Sequence, residues 1–201
     1  TFVGMALAYA LSVGVNVMVS YYTGSKNPEK RTRIINSSMW LSVIVGLVMI
    51  MLGENFSRPL AGFMGAEGEV LDLVWKYLRL IWFFYTFRVF VYVLTAMFQG
   101  TGDSRTPMYV VSITNVVHII IAYVLVYGKF GLPSIGIEGA GWATVASDFL
   151  GAAIMYIIAL KRGLISFKLG WATRVQIRRL WNLSLPVIGE RTLVSTASML
   201  F

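Results

Sequence analysis

Residues 108–127 read MYVVSITNVVHIIIAYVLVY, twenty positions without one Asp, Glu, Lys or Arg. Gly100, Gly102 and Pro107 lie just before this run, and Gly131, Pro133 and Gly136 lie just after it. Twenty residues of α-helix rise about 30 Å, the thickness of a bilayer hydrocarbon core. The run is continuous, whereas strands of a membrane barrel alternate apolar and polar over about ten residues. It therefore reads as one helical crossing, with Pro107 in its first turn, where a missing N–H costs nothing.

Working outward, comparable runs occupy about 1–22, 34–53, 70–98, 140–160 and 180 to the end. Five of the six are long enough to cross, and the last is cut short or only just complete. The fold class expected is an all-α integral membrane protein, a polytopic helical bundle. The third run opens with Glu69, Asp72, Lys76 and Arg79 before Leu80, so its first turns are expected at the interface.

Composition agrees. The 201 residues are 57% hydrophobic and 13% charged, against about 25% charged in soluble domains. Cysteine is absent, which removes disulfides and thiolate metal sites. The net charge of +8 does not call for nucleic acid, because basic residues gather in short cytoplasmic loops of membrane proteins and no basic stretch here interleaves with solvated aromatics. Lys26, Lys30, Arg31 and Arg33 fill the connection 23–33, Arg105 lies in 99–107, and Lys161, Arg162, Lys168, Arg174, Arg178 and Arg179 fill 161–179. The other two connections hold only Arg58 and Lys129, against Glu54, Glu67 and Glu138. The three basic loops are expected to be cytoplasmic. Trp171 and Trp181 are expected to anchor the ends of 161–179, the candidate linker between two bundles. No basic leader opens the chain, so no signal peptide is expected. The chain starts and stops inside apolar stretches, which suggests a piece of a longer protein.

Three stretches carry a family resemblance. Gln99-Gly100-Thr101-Gly102-Asp103-Ser104-Arg105-Thr106-Pro107 resembles the turn between the fourth and fifth helices of multidrug and toxic compound extrusion (MATE) transporters. Gly136-Ile137-Glu138-Gly139-Ala140-Gly141-Trp142-Ala143-Thr144 is similar to the start of their sixth helix, and Val19 to Asn27 to the end of their second. The glycines also have a reading of their own. Gly100 and Gly102 permit positive φ in a tight turn, while Gly139, Ala140, Gly141 and Ala143 let helices approach closely. A phosphate loop at Gly100-Thr101-Gly102 would need a preceding strand, and an apolar run stands there instead.

The resemblance implies helices two to six in residues 1–160 (most of an N-terminal lobe), a basic linker at 161–179, and the first helix of a second lobe at 180–201. It implies twelve helices in two lobes and leaves the family's coupling aspartate, on the first helix, outside the chain. The family's Asn-x-x-Asn-x-x-x-Asp pattern of the fifth helix matches Asn115, His118 and Ala122 here, so only its first residue is kept.

Ionisable groups inside spans cost about 3 kcal/mol on insertion scales, so each is a functional candidate. Glu190 lies about 15 Å past Leu180 along a helix, near the midplane. Pro186, one turn earlier, frees the carbonyl of Asn182 and is expected to kink the helix, which suggests a cation or proton site; Glu190 could instead pair with a basic group elsewhere. Asp148 shares a stripe with Thr144 and Gly151, and either receives a cation or pairs with Arg88. His118 follows Ser112 and Asn115 on an arc of about 120°, and its imidazole suits proton transfer or a plain hydrogen bond between helices.

The function expected is export of amphiphilic, often cationic, small molecules in exchange for Na⁺ or H⁺ by alternating access, with no cofactor beyond the coupling ion. The partners expected are the substrate, the bilayer and the remaining helices, in a bacterial or archaeal plasma membrane. The alternative is a flippase for a lipid-linked glycan, which favours a cationic cavity. An intramembrane enzyme would need a clustered nucleophile or metal set, and there is one histidine and no His-Glu-x-x-His or Gly-x-Ser-x-Gly. A channel would need a filter or a ring of charges, and none is evident.

Overall fold

The computed structural model describes residues 2–63, 65, 67–131, 134–166 and 172–200. Their regular structure is entirely helical: α1 (Phe2–Gly24), α2 (Pro28–Phe63), α3 (Gly68–Phe83), α4 (Tyr85–Gly100), α5 (Arg105–Tyr127), α6 (Gly136–Lys161) and α7 (Arg174–Leu200). Among the described residues α1, α2, α5 and α6 are each long and apolar enough to cross a membrane, and α3 with α4 is so only as a bent pair. Pro133 and Trp171 lie outside the described residues.

Local chemistry sets the boundaries. Asn27 accepts the Lys30 N–H at 3.1 Å through Oδ1, and Pro28 follows at the first helical position, where its fixed φ is pre-organised. α2 then continues past the expected end near 53, through Pro59, for 36 residues in all, or about 54 Å. Its projecting turns are amphipathic. Glu54 accepts from Arg79 at 2.9 Å and Arg58 donates to Asp72 at 3.2 Å, so both tie to α3. Lys76 of α3 pairs in turn with Glu138 of α6 at 3.6 Å. The charges that open the third run thus form a ladder linking three helices at one end of the bundle.

The third run is not a single straight helix. It breaks at Phe84, with α3 and α4 inclined by 48°. No Pro or Gly marks the break; the seat for it lies on α2. A Cβ on Gly46 would collide with Thr86, and one on Gly53 with Trp82, on either side of the bend. Two glycines seven positions apart thus receive both halves of the bent span.

Small residues bring the other helices together, as packing in lipid requires. A Cβ at Gly139 would lie 2.8 Å from that of Leu125, and one at Gly141 2.8 Å from Leu80 Cδ2. Gly100 departs from the reading as a turn glycine. It ends α4 without positive φ and sits against α1, where an added Cβ would meet Val19 Cβ at 2.9 Å. Gly102 alone of the two is left-handed, at φ +88°. Gly139→Val should wedge α5 from α6 and cost about 1–3 kcal/mol, read as a lowered unfolding midpoint in detergent; an unchanged midpoint would deny the close approach.

The three basic connections meet at the opposite end. Asp103 Oδ1 accepts the N–H groups of Arg105 and Thr106 at 3.1 and 3.0 Å, its Oδ2 accepts the Thr106 hydroxyl at 2.5 Å, and Arg162 pairs with the same oxygen. The Thr106 hydroxyl first, then its N–H and Arg162, hold the Asp103 carboxyl well below the usual carboxylate range. Asn36 donates to the Ser166 carbonyl at 2.7 Å, Ser37 Oγ accepts from the Ala172 N–H at 2.7 Å, and Gln176 donates to the Tyr22 hydroxyl at 3.2 Å. The described parts of loops 23–33, 99–107 and 161–179 therefore share one face, as their common charge leads one to expect. In intact cells a cysteine at Ser104 should resist impermeant thiol reagents while one at Ser134 reacts; reversed labelling would invert the orientation.

Candidate intramembrane polar site

Helices α4, α5 and α6 pack side by side and carry the polar groups at membrane depth. Arg88, one turn beyond the break at Phe84, donates through Nε to Asp148 Oδ2 at 2.9 Å, with the two side chains 22% and 23% exposed. The pair with Arg88 that the sequence left open for Asp148 is formed. Beneath it Tyr85 is buried at 2% exposure, and its hydroxyl has no hydrogen-bond partner.

One turn before Asp148, Thr144 Oγ1 donates to the Ala140 carbonyl at 3.0 Å. With that proton committed, the Thr144 oxygen accepts from His118 Nε2 at 3.2 Å, which assigns the ring proton to Nε2. Three residues after Asp148, Gly151 faces α5 and α4, with Thr114 Cγ2 and Val91 Cγ2 3.4 and 3.6 Å from where its Cβ would lie. The stripe Thr144, Asp148, Gly151 thus faces both neighbours, and it stacks His118 and the ion pair about 6 Å apart along α6.

The other candidates lie elsewhere. Asn115 is exposed on α5 and does not join His118 at Thr144. Glu190 and Pro186 are exposed on α7, which packs on α1 and α2 and not on the α4–α6 group. α7 runs unbroken across Pro186 and begins at Arg174, six residues earlier than the apolar run. Gly14 of α1 makes that packing possible, since a Cβ there would lie 3.1 Å from the Leu180 carbonyl.

Sequence reasoning noted Thr144 only as part of a stripe and missed a second polar feature altogether. A cavity of about 310 Å³ opens between α1 and α4, where Val13, Val17 and Ala96 share its walls with Tyr9, Ser12, Asn16, Tyr92, Thr95 and Gln99.

Comparison with known proteins agrees with this architecture. The MatE family model matches residues 1–124. A probable multidrug resistance protein NorM of Thermotoga maritima is 29% identical over 197 residues, spanning 96% of this chain and 42% of the relative. The probable multidrug resistance protein YoeA of Bacillus subtilis is 26% identical over 161 residues, 80% of this chain and 35% of its own. An outward-facing MATE family transporter of the MOP superfamily has the same fold at TM-score 0.89 and 23% identity, across 98% of this chain and 44% of that one. The chain, a multi-pass membrane bundle spanning less than half the length of these relatives, belongs to the MATE family.

Proposed function

We propose that the whole protein exports amphiphilic small molecules, many of them cationic, in exchange for Na⁺ or H⁺, and that this chain supplies one wall of the path. Residues 1–160 form the bundle of one lobe, 161–179 the linker, and 180–201 the first helix of the other. The observation that supports this most is the polar group on α4, α5 and α6, where Arg88–Asp148 and His118–Thr144 bridge three spans. Ionisable groups inside spans are costly and mark the paths of ions or substrates. The flippase reading wants net positive charge in the cavity, and the Asp148 carboxylate offsets that of Arg88.

Efflux in cells tests the reading. A pump-deficient bacterial strain producing the full-length protein should accumulate less ethidium than the same strain without it, and a protonophore or removal of Na⁺ should abolish the difference. Equal accumulation in both strains would refute export of cationic amphiphiles.

A further inference from the structure

α7 starts on a capping box. The Thr173 N–H donates to Gln176 Oε1 at 2.9 Å and the Gln176 N–H donates back to Thr173 Oγ1 at 3.4 Å, the reciprocal pairing of Thr-x-x-Gln at a helix start. Gln176 also donates to the Tyr22 hydroxyl, and one turn on Gly14 of α1 receives the Leu180 carbonyl. The register of α7 is thereby fixed, with Gln176, Leu180 and Ser184 buried on one side. At about 100° per residue Arg174, Arg178, Trp181 and Leu185 share an arc of about 60° turned away from that side, and all four are exposed. They follow one another over about 16 Å of helix, from the basic loops inward: two arginines one turn apart, then an indole, then an aliphatic side chain. Gln176 meets Tyr22 in the last turn of α1, which ends at Gly24, so the arginines stand where the spans leave the hydrocarbon.

We propose that this stripe seats the headgroup of an anionic diacyl phospholipid of the cytoplasmic leaflet. Arg174 and Arg178 lie about 6 Å apart along the axis, close enough to hold one phosphate between two planar forks of N–H donors. Trp181 comes one turn deeper, at the glycerol level where indoles collect, and Leu185 lies beside the acyl chains. Among the described residues neither arginine enters an ion pair, whereas Arg33 and Arg162 on the same face are taken by Glu29 and Asp103. The two free charges make the stripe selective. Phosphatidylcholine brings its own ammonium and leaves them unneutralised, while a headgroup of net negative charge offsets them, and basic side chains beside a span draw such lipids. The site does not depend on what the whole protein exports.

The full-length protein is reconstituted into phosphatidylcholine vesicles with rising amounts of dibrominated phosphatidylglycerol, whose bromines quench any tryptophan they touch. The share of quenching that disappears in Trp181→Phe reports the lipid beside Trp181, and dibrominated phosphatidylcholine in plain phosphatidylglycerol gives the reverse titration. Phosphatidylglycerol should be preferred there about tenfold, and Arg174→Gln and Arg178→Gln should each cut that preference about fivefold. Arg105→Gln, which removes the same charge from the same face but at the start of α5, should leave it unchanged. Unfolding midpoints identify any variant that fails to fold, and the preference of the unaltered protein then decides. Four results would overturn the proposal: no quenching at Trp181 by either lipid, which would mean that the rest of the protein covers the stripe; equal quenching by both; a preference unmoved by the two glutamine variants or lowered as much by Arg105→Gln; or displacement of the lipid by millimolar inorganic phosphate.

Discussion

Glu190→Gln in the full-length protein is expected to abolish ion-driven efflux while leaving the amount of protein in the membrane unchanged. The substitution keeps the shape of the side chain and removes the charge that has to cycle. Glu190 lies one turn past Pro186, on a face of α7 that α1 and α2 leave uncovered. A carboxylate at membrane depth costs about 3 kcal/mol, which makes it a functional candidate. His118→Asn should be milder, because asparagine is what the family pattern has at that position, although its shorter side chain gives up the His118 Nε2 bond to Thr144. Efflux and membrane abundance measured on both variants decide the matter. Normal export by Glu190→Gln together with complete loss by His118→Asn would move coupling to the α5–α6 contact.

Arg88→Met should destabilise the bundle strongly. It leaves the Asp148 carboxylate among three spans without its guanidinium, at a cost of about 3 kcal/mol, the lower end for a broken buried pair. The lower end applies because the partners keep 22% and 23% of their side-chain surface open. Replacing both partners, as Arg88→Met with Asp148→Leu, should recover most of the loss, since an apolar pair needs no charge compensation. Unfolding midpoints in detergent give the comparison. A double variant as unstable as the single one would show that Asp148 is held by something other than Arg88. Recovered stability without efflux would assign the pair to transport, and recovered stability with efflux would assign it to packing.

What the sequence disclosed follows from how local each signal is. A span is written in some twenty consecutive apolar residues, so the crossings were readable, and so was the shared face of the three basic loops. The break at Phe84 was not, because Trp82, Phe83, Phe84 and Tyr85 continue the apolar run and the cause lies on another helix, at Gly46 and Gly53. Gly100 and Gly102 look alike in sequence and do different work, one in packing and one in a left-handed turn. Arg88 and Asp148 were both visible as costly charges, but their pairing spans 60 residues and needed the fold. The cavity between α1 and α4 takes its walls from two helices far apart in the chain, so only the fold shows it.

The central claim, that the whole protein exchanges amphiphiles for cations, is tested most directly in proteoliposomes holding the full-length protein and a fluorescent dye. Imposing an inward Na⁺ or H⁺ gradient should drive the dye against its own gradient, and collapsing the ion gradient should stop it. Glu190→Gln should leave the dye unmoved under the same gradient. Ion flow without dye movement, or transfer of a lipid-linked glycan between leaflets without either, would contradict the account.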